Sequence, residues 1–230
     1  MAERLTEGLW VLDLGLLPPL ASNAYLLDVG DDVTLVDAGL GWNVPSLVDE
    51  LADAGYAVAD LDRVLVTHYD LDHVGGLRHV ASALRCPVYV GRDDLRLVDG
   101  EDDPPLAHHK GAFHRVARAL FPLPDAVETR AVTDGESVGG FTAYHTPGHN
   151  PGHTVYVHES GVAFLGDLVW EDDGGLTPPF WLDSYDMDEL HRSIDGLVDR
   201  VQPFEVAAMG HGDPIRAGGR QALADLAARL

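Results

Sequence analysis

The segment Thr67-His68-Tyr69-Asp70-Leu71-Asp72-His73-Val74-Gly75-Gly76 limits what this chain can become more than any other stretch. Four imidazole or carboxylate groups fall within six residues, directly after the apolar run 64–66 and directly before a glycine pair. A short, fully apolar run reads as a buried strand, and the loop at its C-terminal end is where an α/β scaffold presents functional groups. The spacing His-x-Asp-x-Asp-His sends side chains to alternating sides of a tight loop. That arrangement serves two adjacent metals better than one. A polar, solvated turn with two incidental histidines is the plain alternative.

Three later segments argue against the plain alternative. His145-Thr146-Pro147-Gly148-His149-Asn150-Pro151-Gly152-His153 follows an alternating run at 141–145 and sets three histidines in a Pro-Gly turn. Phe164-Leu165-Gly166-Asp167 ends the run 162–165 with a carboxylate, and Met209-Gly210-His211-Gly212 ends the run 205–209 with a histidine. Each group lies at a predicted strand end, so a sheet can gather them at one edge.

Short β-like runs at 9–14, 24–28 and 33–36, with a turn at 30–32, open the chain. A helix start at Asn43-Val44-Pro45 is continued by apolar positions 47, 48, 51 and 54. Helices are expected at 77–84, 107–120, 186–200 and 221–230, and strands at 64–66, 87–90, 136–138, 141–145, 154–158, 162–165 and 205–209. The acidic, proline-containing stretch 92–124 reads as a partly helical insertion in one domain spanning residues 1–230, because it is too short for a core of its own. Two successive β-rich halves, each with helices, fit two sheets packed face to face with helices outside.

Taken together and in this order, the motifs resemble the metallo-β-lactamase superfamily. Its pattern is His-x-His-x-Asp-His, then Thr-Pro-Gly-His-x-x-Gly-His, a Gly-Asp after a strand and a late Gly-His-Gly. The match runs from about Asn23 to Asp213 and includes Ser22-Asn23-Ala24-Tyr25-Leu26 and Leu35-Val36-Asp37-Ala38-Gly39. The resemblance implies an αββα sandwich with two mixed sheets and the metals at one edge. It implies two divalent ions, zinc first. His68 and His149 would bind one, Asp72, His73 and His211 the other, and Asp167 would bridge them.

The family's second histidine is Asp70 here. Its oxygen stands the same number of bonds from Cα as the ring nitrogen it replaces, so Asp70 is expected as a ligand, with a supporting role or a lost first site as the alternatives. As a harder anionic donor it would favour iron or manganese. A metal-bridging hydroxide would attack a carbonyl carbon, with Asp72 orienting the nucleophile.

His145 and His153 are expected behind the ligands, as hydrogen-bond donors or turn packing. His108, His109 and His114 lie with Lys110 and Arg115 in a locally positive helix, which either faces the site and an anionic substrate or lies on the surface. Trp170, Phe180, Trp181 and Tyr185, beside Pro178-Pro179, are read either as an apolar substrate wall or as a packed surface loop. His79, His158 and His191 are expected on the surface, and Cys86 in the core.

The formal net charge of −23 is spread along the whole chain, whose only lysine is Lys110. Such a surface suits either high salt, where repulsion is screened, or an acidic mesophilic enzyme. It excludes phosphate-backbone recognition, so the expected partner is a small molecule and not a nucleic acid. One cysteine allows no internal disulfide. With no apolar run of membrane length and no basic-apolar leader at Met1, the expectation is a cytoplasmic protein, monomer or homodimer, without membrane contact.

Within the family, the expected reaction is hydrolysis of a small ester, thioester or lactone. The absence of basic surface speaks against the nuclease branch. Only nineteen residues follow His211, against a glutathione thioester site of the glyoxalase II kind, and Trp170 stands where lactonases carry tyrosine. Two alternatives compete. One is a persulfide dioxygenase-like oxidoreductase with a single iron on His68, His149 and Asp167, and the other a metal-stabilised binding protein without catalysis.

Overall fold

The computed structural model describes residues 1–14, 22–30, 32–41, 46–120 and 127–230. The expected helix start at Asn43-Val44-Pro45, the middle of the 30–32 turn and the end of the 92–124 stretch lie outside them. Seven strands pair in chain order into the first sheet: β1 (Glu3–Thr6), β2 (Leu9–Asp13), β3 (Asn23–Val29), β4 (Asp32–Val36), β5 (Arg63–Val66), β6 (Val88–Gly91) and β7 (Thr129–Val132). The first four pair antiparallel and the last three join in parallel. The second sheet runs in the order β14-β11-β10-β9-β8, from β8 (Ser137–Val138), β9 (Phe141–His145), β10 (Thr154–His158), β11 (Val162–Gly166) and β14 (Val206–Met209). A small ribbon of β12 (Trp170–Asp172) and β13 (Gly175–Thr177) stands apart from both.

Strand periodicity builds the layers. On β3, Tyr25 and Leu27 point between the sheets while Ala24 and Leu26 point to the outer helices. On β11, Val162 and Phe164 meet them from the other side, and Ala163 and Leu165 face the opposite helices. Because side chains alternate with a period of two, a strand buried on both faces must be apolar throughout, as 64–66 and 162–165 are.

The outer layers are α1 (Leu47–Ala54), α2 (Leu71–Val74), α3 (Leu77–Val80) and α4 (Arg92–Val98) on one side, with α6 (Met187–Arg200) and α7 (Gly219–Ala227) on the other. Helix α1 starts on a reciprocal Ser46–Asp49 capping box and stops at Gly55, whose φ of 95° suits a residue without Cβ. Asp186 caps α6 by accepting from the Glu189 N–H. The result is an αββα sandwich with three apolar interfaces.

Helix α5 (His109–Leu120) lies with α4 in the crossover from β6 to its parallel neighbour β7. It is amphipathic in reverse: Phe113, Val116 and Leu120 are exposed, while Lys110 and His114 are buried. Residues four apart share a helix face, so α5 turns its charged stripe inward. His158, expected on the surface, is buried at the end of β10, where its Nδ1 lies 2.8 Å from the Ser160 hydroxyl. The three-residue turn 159–161 after this buried strand has no apolar signal to reveal that enclosure. No described helix is long and apolar enough to cross a membrane.

Candidate metal centre

Five strand ends meet at one edge of the sandwich. Asp37 follows β4, His68–His73 follow β5, His149 lies in the loop from β9 to β10, Asp167 follows β11 and His211 follows β14. Among the described residues, four sets of imidazole and carboxylate groups come within metal-sharing distance: His68/Asp70/His149, His68/His73/Asp167, Asp72/His73/His211 and His149/Asp167/Asp183. All seven residues expected as ligands are therefore in one place. Asp183, which was not expected there, joins them from the 3₁₀ turn Trp181–Asp183 within the aromatic stretch.

One side of this cluster fits a metal ion. His73 Nε2 and Asp167 Oδ1 are buried without a hydrogen-bond partner and stand 3.5 Å apart. His211 Nε2 lies 3.2 Å from Asp167 Oδ2 and 3.3 Å from Asp72 Oδ2. Buried polar atoms left unpaired cost free energy, so native chains leave them where another group completes them. Gly210 keeps the space open: a Cβ there would stand 2.1 Å from Asp167 Oδ1 and 2.6 Å from His73 Cε1.

The electrostatics agree. Burial alone would lower both histidines, but the Asp167 carboxylate outweighs it, raising His73 and pushing His211 up to about 11. Burial opposes ionisation of Asp167, yet His211 and His73 hold it well below the usual carboxylate range. These carboxylates attract cations strongly, and a metal would displace protons from the two rings.

Supporting groups fix the rings. Asp37, held at φ 60°, accepts from the Thr67 N–H at 2.8 Å and the Thr67 hydroxyl at 2.7 Å, and its Oδ2 lies 2.9 Å from His73 Nδ1. That contact turns His73 Nε2 toward the site. The His153 ring accepts from the Asp167 N–H at 3.1 Å. Asn23 reaches Gly212 O at 2.7 Å and Met209 O at 3.2 Å, clamping the loop that carries His211. Asp94 joins two loops: its oxygens accept from the Gly152 N–H at 2.7 Å and the Tyr69 N–H at 3.0 Å, and burial pushes its carboxyl up to about 7. His145 stands farther out, its Nε2 2.8 Å from Pro151 O.

The other side is already filled. The Lys110 ammonium lies 2.8 Å from Asp70 Oδ2 and 2.8 Å from His149 Nε2. It also donates to Asp183 O at 2.7 Å and to His149 O at 3.2 Å. The second Asp70 oxygen accepts from Asn150 at 2.8 Å and faces His114 Nε2 at 3.3 Å. Burial resists ionisation of Asp70, but His114, Lys110 and His68 hold it well below its ordinary value. Burial first, then the Lys110 charge, press His149 down to about 3.

Of the aromatic residues, Trp170 stacks edge-on against His211 at 5.0 Å. Phe180 and Trp181 are more than half exposed. Tyr185 instead meets Tyr69, hydroxyl to hydroxyl at 2.6 Å, and its ring lies 5.8 Å from the ammonium. Cys86 is free and buried.

The model of the metallo-β-lactamase superfamily matches residues 17–211. The chain belongs to that superfamily. Its relatives there include the probable metallo-hydrolase YybB of Bacillus subtilis, 28% identical over 94% of this chain and 90% of that one. The metallo-β-lactamase family protein TTHA1429 of Thermus thermophilus superposes with a TM-score of 0.66 at 27% identity, covering 98% of this chain and 80% of its own. TTHA1623, solved in a di-iron-bound form, gives the same TM-score at 28% identity, covering 92% and 97%.

Proposed function

We propose that this superfamily member is a metal-dependent hydrolase of a small ester, thioester or lactone. The observation that carries the reading is the pair of buried, unpartnered donors, His73 Nε2 and Asp167 Oδ1, beside His211 and Asp72. The proposal requires one divalent ion there; a second, on His68, Asp70 and His149, is what the expected dinuclear centre adds. Two imidazoles and two carboxylates suit zinc, and also iron or manganese. Such an ion lowers the pKa of bound water toward about 7 and polarises a carbonyl.

The chain's own groups supply the rest. Asp72, with a 30% exposed side chain, stands at the open side of the cluster within 3.3 Å of His211. It is placed to accept a proton from a water and to aim it. Trp170 walls the His211 side, and the exposed Phe180–Trp181 pair offers an apolar rim for an acyl chain. Likeness to a probable metallo-hydrolase supports the reaction class. The net charge of −23 supports an uncharged or weakly charged small substrate over a nucleic acid, and a cytoplasmic setting is proposed with it.

The test is a panel of esters, thioesters and lactones with zinc-, iron- and manganese-loaded protein. Turnover of one class, cut by about 10²–10⁴-fold in Asp72→Asn, is expected. Folded, metal-loaded protein that turns over none of them, or an Asp72→Asn variant of full activity, contradicts the reading.

A further inference from the structure

We propose that Lys110 is a resident cation standing in for the first metal, so that the chain holds a single divalent ion, on Asp72, His73, Asp167 and His211. This deepens the hydrolase reading and rests on it. His149 Nε2 has one lone pair, and its distance of 2.8 Å from Lys110 Nζ is that of a hydrogen bond. Whichever of the two atoms carries the proton, that lone pair is not free for a metal. Asp70 Oδ2, also 2.8 Å from Nζ, is engaged in the same way.

Space and charge point in the same direction. His149 Nε2 stands 3.1 Å from Asp70 Oδ2 and 3.2 Å from His68 Nε2, close enough for all three to share one ion. An ion at about 2 Å from both His149 and Asp70 would lie within about 4 Å of the ammonium, and two cations that close in a buried site repel strongly. The ammonium has partners that a displaced side chain would forfeit: the carbonyls of Asp183 and His149, and the Tyr185 ring. The fold commits to this placement, because α5 buries Lys110 and His114 while leaving Phe113, Val116 and Leu120 in solvent.

The ammonium has three hydrogens and four acceptors around it. None is left for substrate, so Lys110 is a positioning residue and not a catalytic one. It neutralises Asp70, orders His149 and keeps a fixed positive charge beside the metal. The substitution of the family's histidine by Asp70 then has a physical reason: a carboxylate is the natural partner of an ammonium, and a neutral imidazole is not.

Metal stoichiometry tests this directly. Metal-free protein is titrated with zinc and with cobalt, the bound ion counted by elemental analysis and the cobalt sites by their visible spectrum. The expected result is one tight ion in the parent chain and two in Lys110→Ala. Should Lys110→Ala not fold, His149→Ala carries the test, and it is expected to keep the single ion. Two ions in the parent, one in a folded Lys110→Ala, or none in His149→Ala overturn the proposal while the hydrolase reading stands. No ion in the parent chain overturns both.

Discussion

On one side of the site His68, Asp70 and His149 surround the Lys110 ammonium; on the other, His73 Nε2 and Asp167 Oδ1 face each other with no hydrogen-bond partner. Both sides are made of imidazoles and carboxylates at strand ends; His68, Asp70 and His149 are buried throughout, while Asp72 and His211 open the other side partly to solvent. What separates them is one side chain contributed from outside the motifs. Donor type and donor geometry are therefore not enough to count metals; the charge already present within reach of the donors decides. The two buried carboxylates also differ: Asp70 has both oxygens engaged within the chain, whereas Asp167 pairs Oδ2 with His211 and leaves Oδ1 without a hydrogen-bond partner.

The largest effect that would break the comparison is loss of Asp167, which touches His73 and His211. Asp167→Ala is expected to abolish metal binding and to lower hydrolysis on the order of 10³-fold, since a metal supplies several kcal/mol of transition-state stabilisation. His149→Ala should lose far less. Equal losses, measured side by side as metal content and kcat/KM, would mean that the two sides act alike.

A step smaller is Asp37→Asn. It disturbs the contact that turns His73 Nε2 inward and is expected to weaken metal affinity by about 10–100-fold. Competition with a chelator measures it, and unchanged affinity would remove Asp37 from the account.

Asp94 belongs to both sides, because it ties the Tyr69 loop to the Gly152 loop. Asp94→Ala leaves two buried N–H groups without acceptors and should cost roughly 2–5 kcal/mol of stability without changing the number of metals. Its carboxyl is raised to about 7 in the folded chain against about 4 in an unfolded one. Between those values the folded state binds more protons, so Asp94's contribution to stability falls as pH rises from about 4 to about 7. Denaturation of parent and Asp94→Asn across that window should show stability falling more steeply, or rising less, with pH in the parent than in the variant; equal slopes would remove Asp94 as the cause. The smallest effect is expected at exposed Trp181: Trp181→Ala should change stability by less than about 0.5 kcal/mol and act, if anywhere, on KM.

Much of this was legible in the sequence. Runs such as 64–66 and 162–165 announce strands buried on both faces, and the candidate metal-binding groups fall at their ends because a sheet edge collects them. The seven residues expected as ligands come from motifs that are local in sequence, and the structure brings them together. What stayed hidden is long-range. Lys110 reaches His149 across thirty-nine positions, and whether a helix turns its charged or its apolar face inward depends on what it packs against. Asp94 and Asp183 carry no motif at all. Asp37 was visible only as part of a strand, since its role rests on a positive φ and on a contact thirty-six positions away.

The most direct measurement is the anomalous scattering of a zinc-soaked crystal. One peak is expected, among Asp72, His73, Asp167 and His211, with the Lys110 ammonium still between Asp70 and His149. A second peak among His68, Asp70 and His149, with Lys110 swung away, would contradict it.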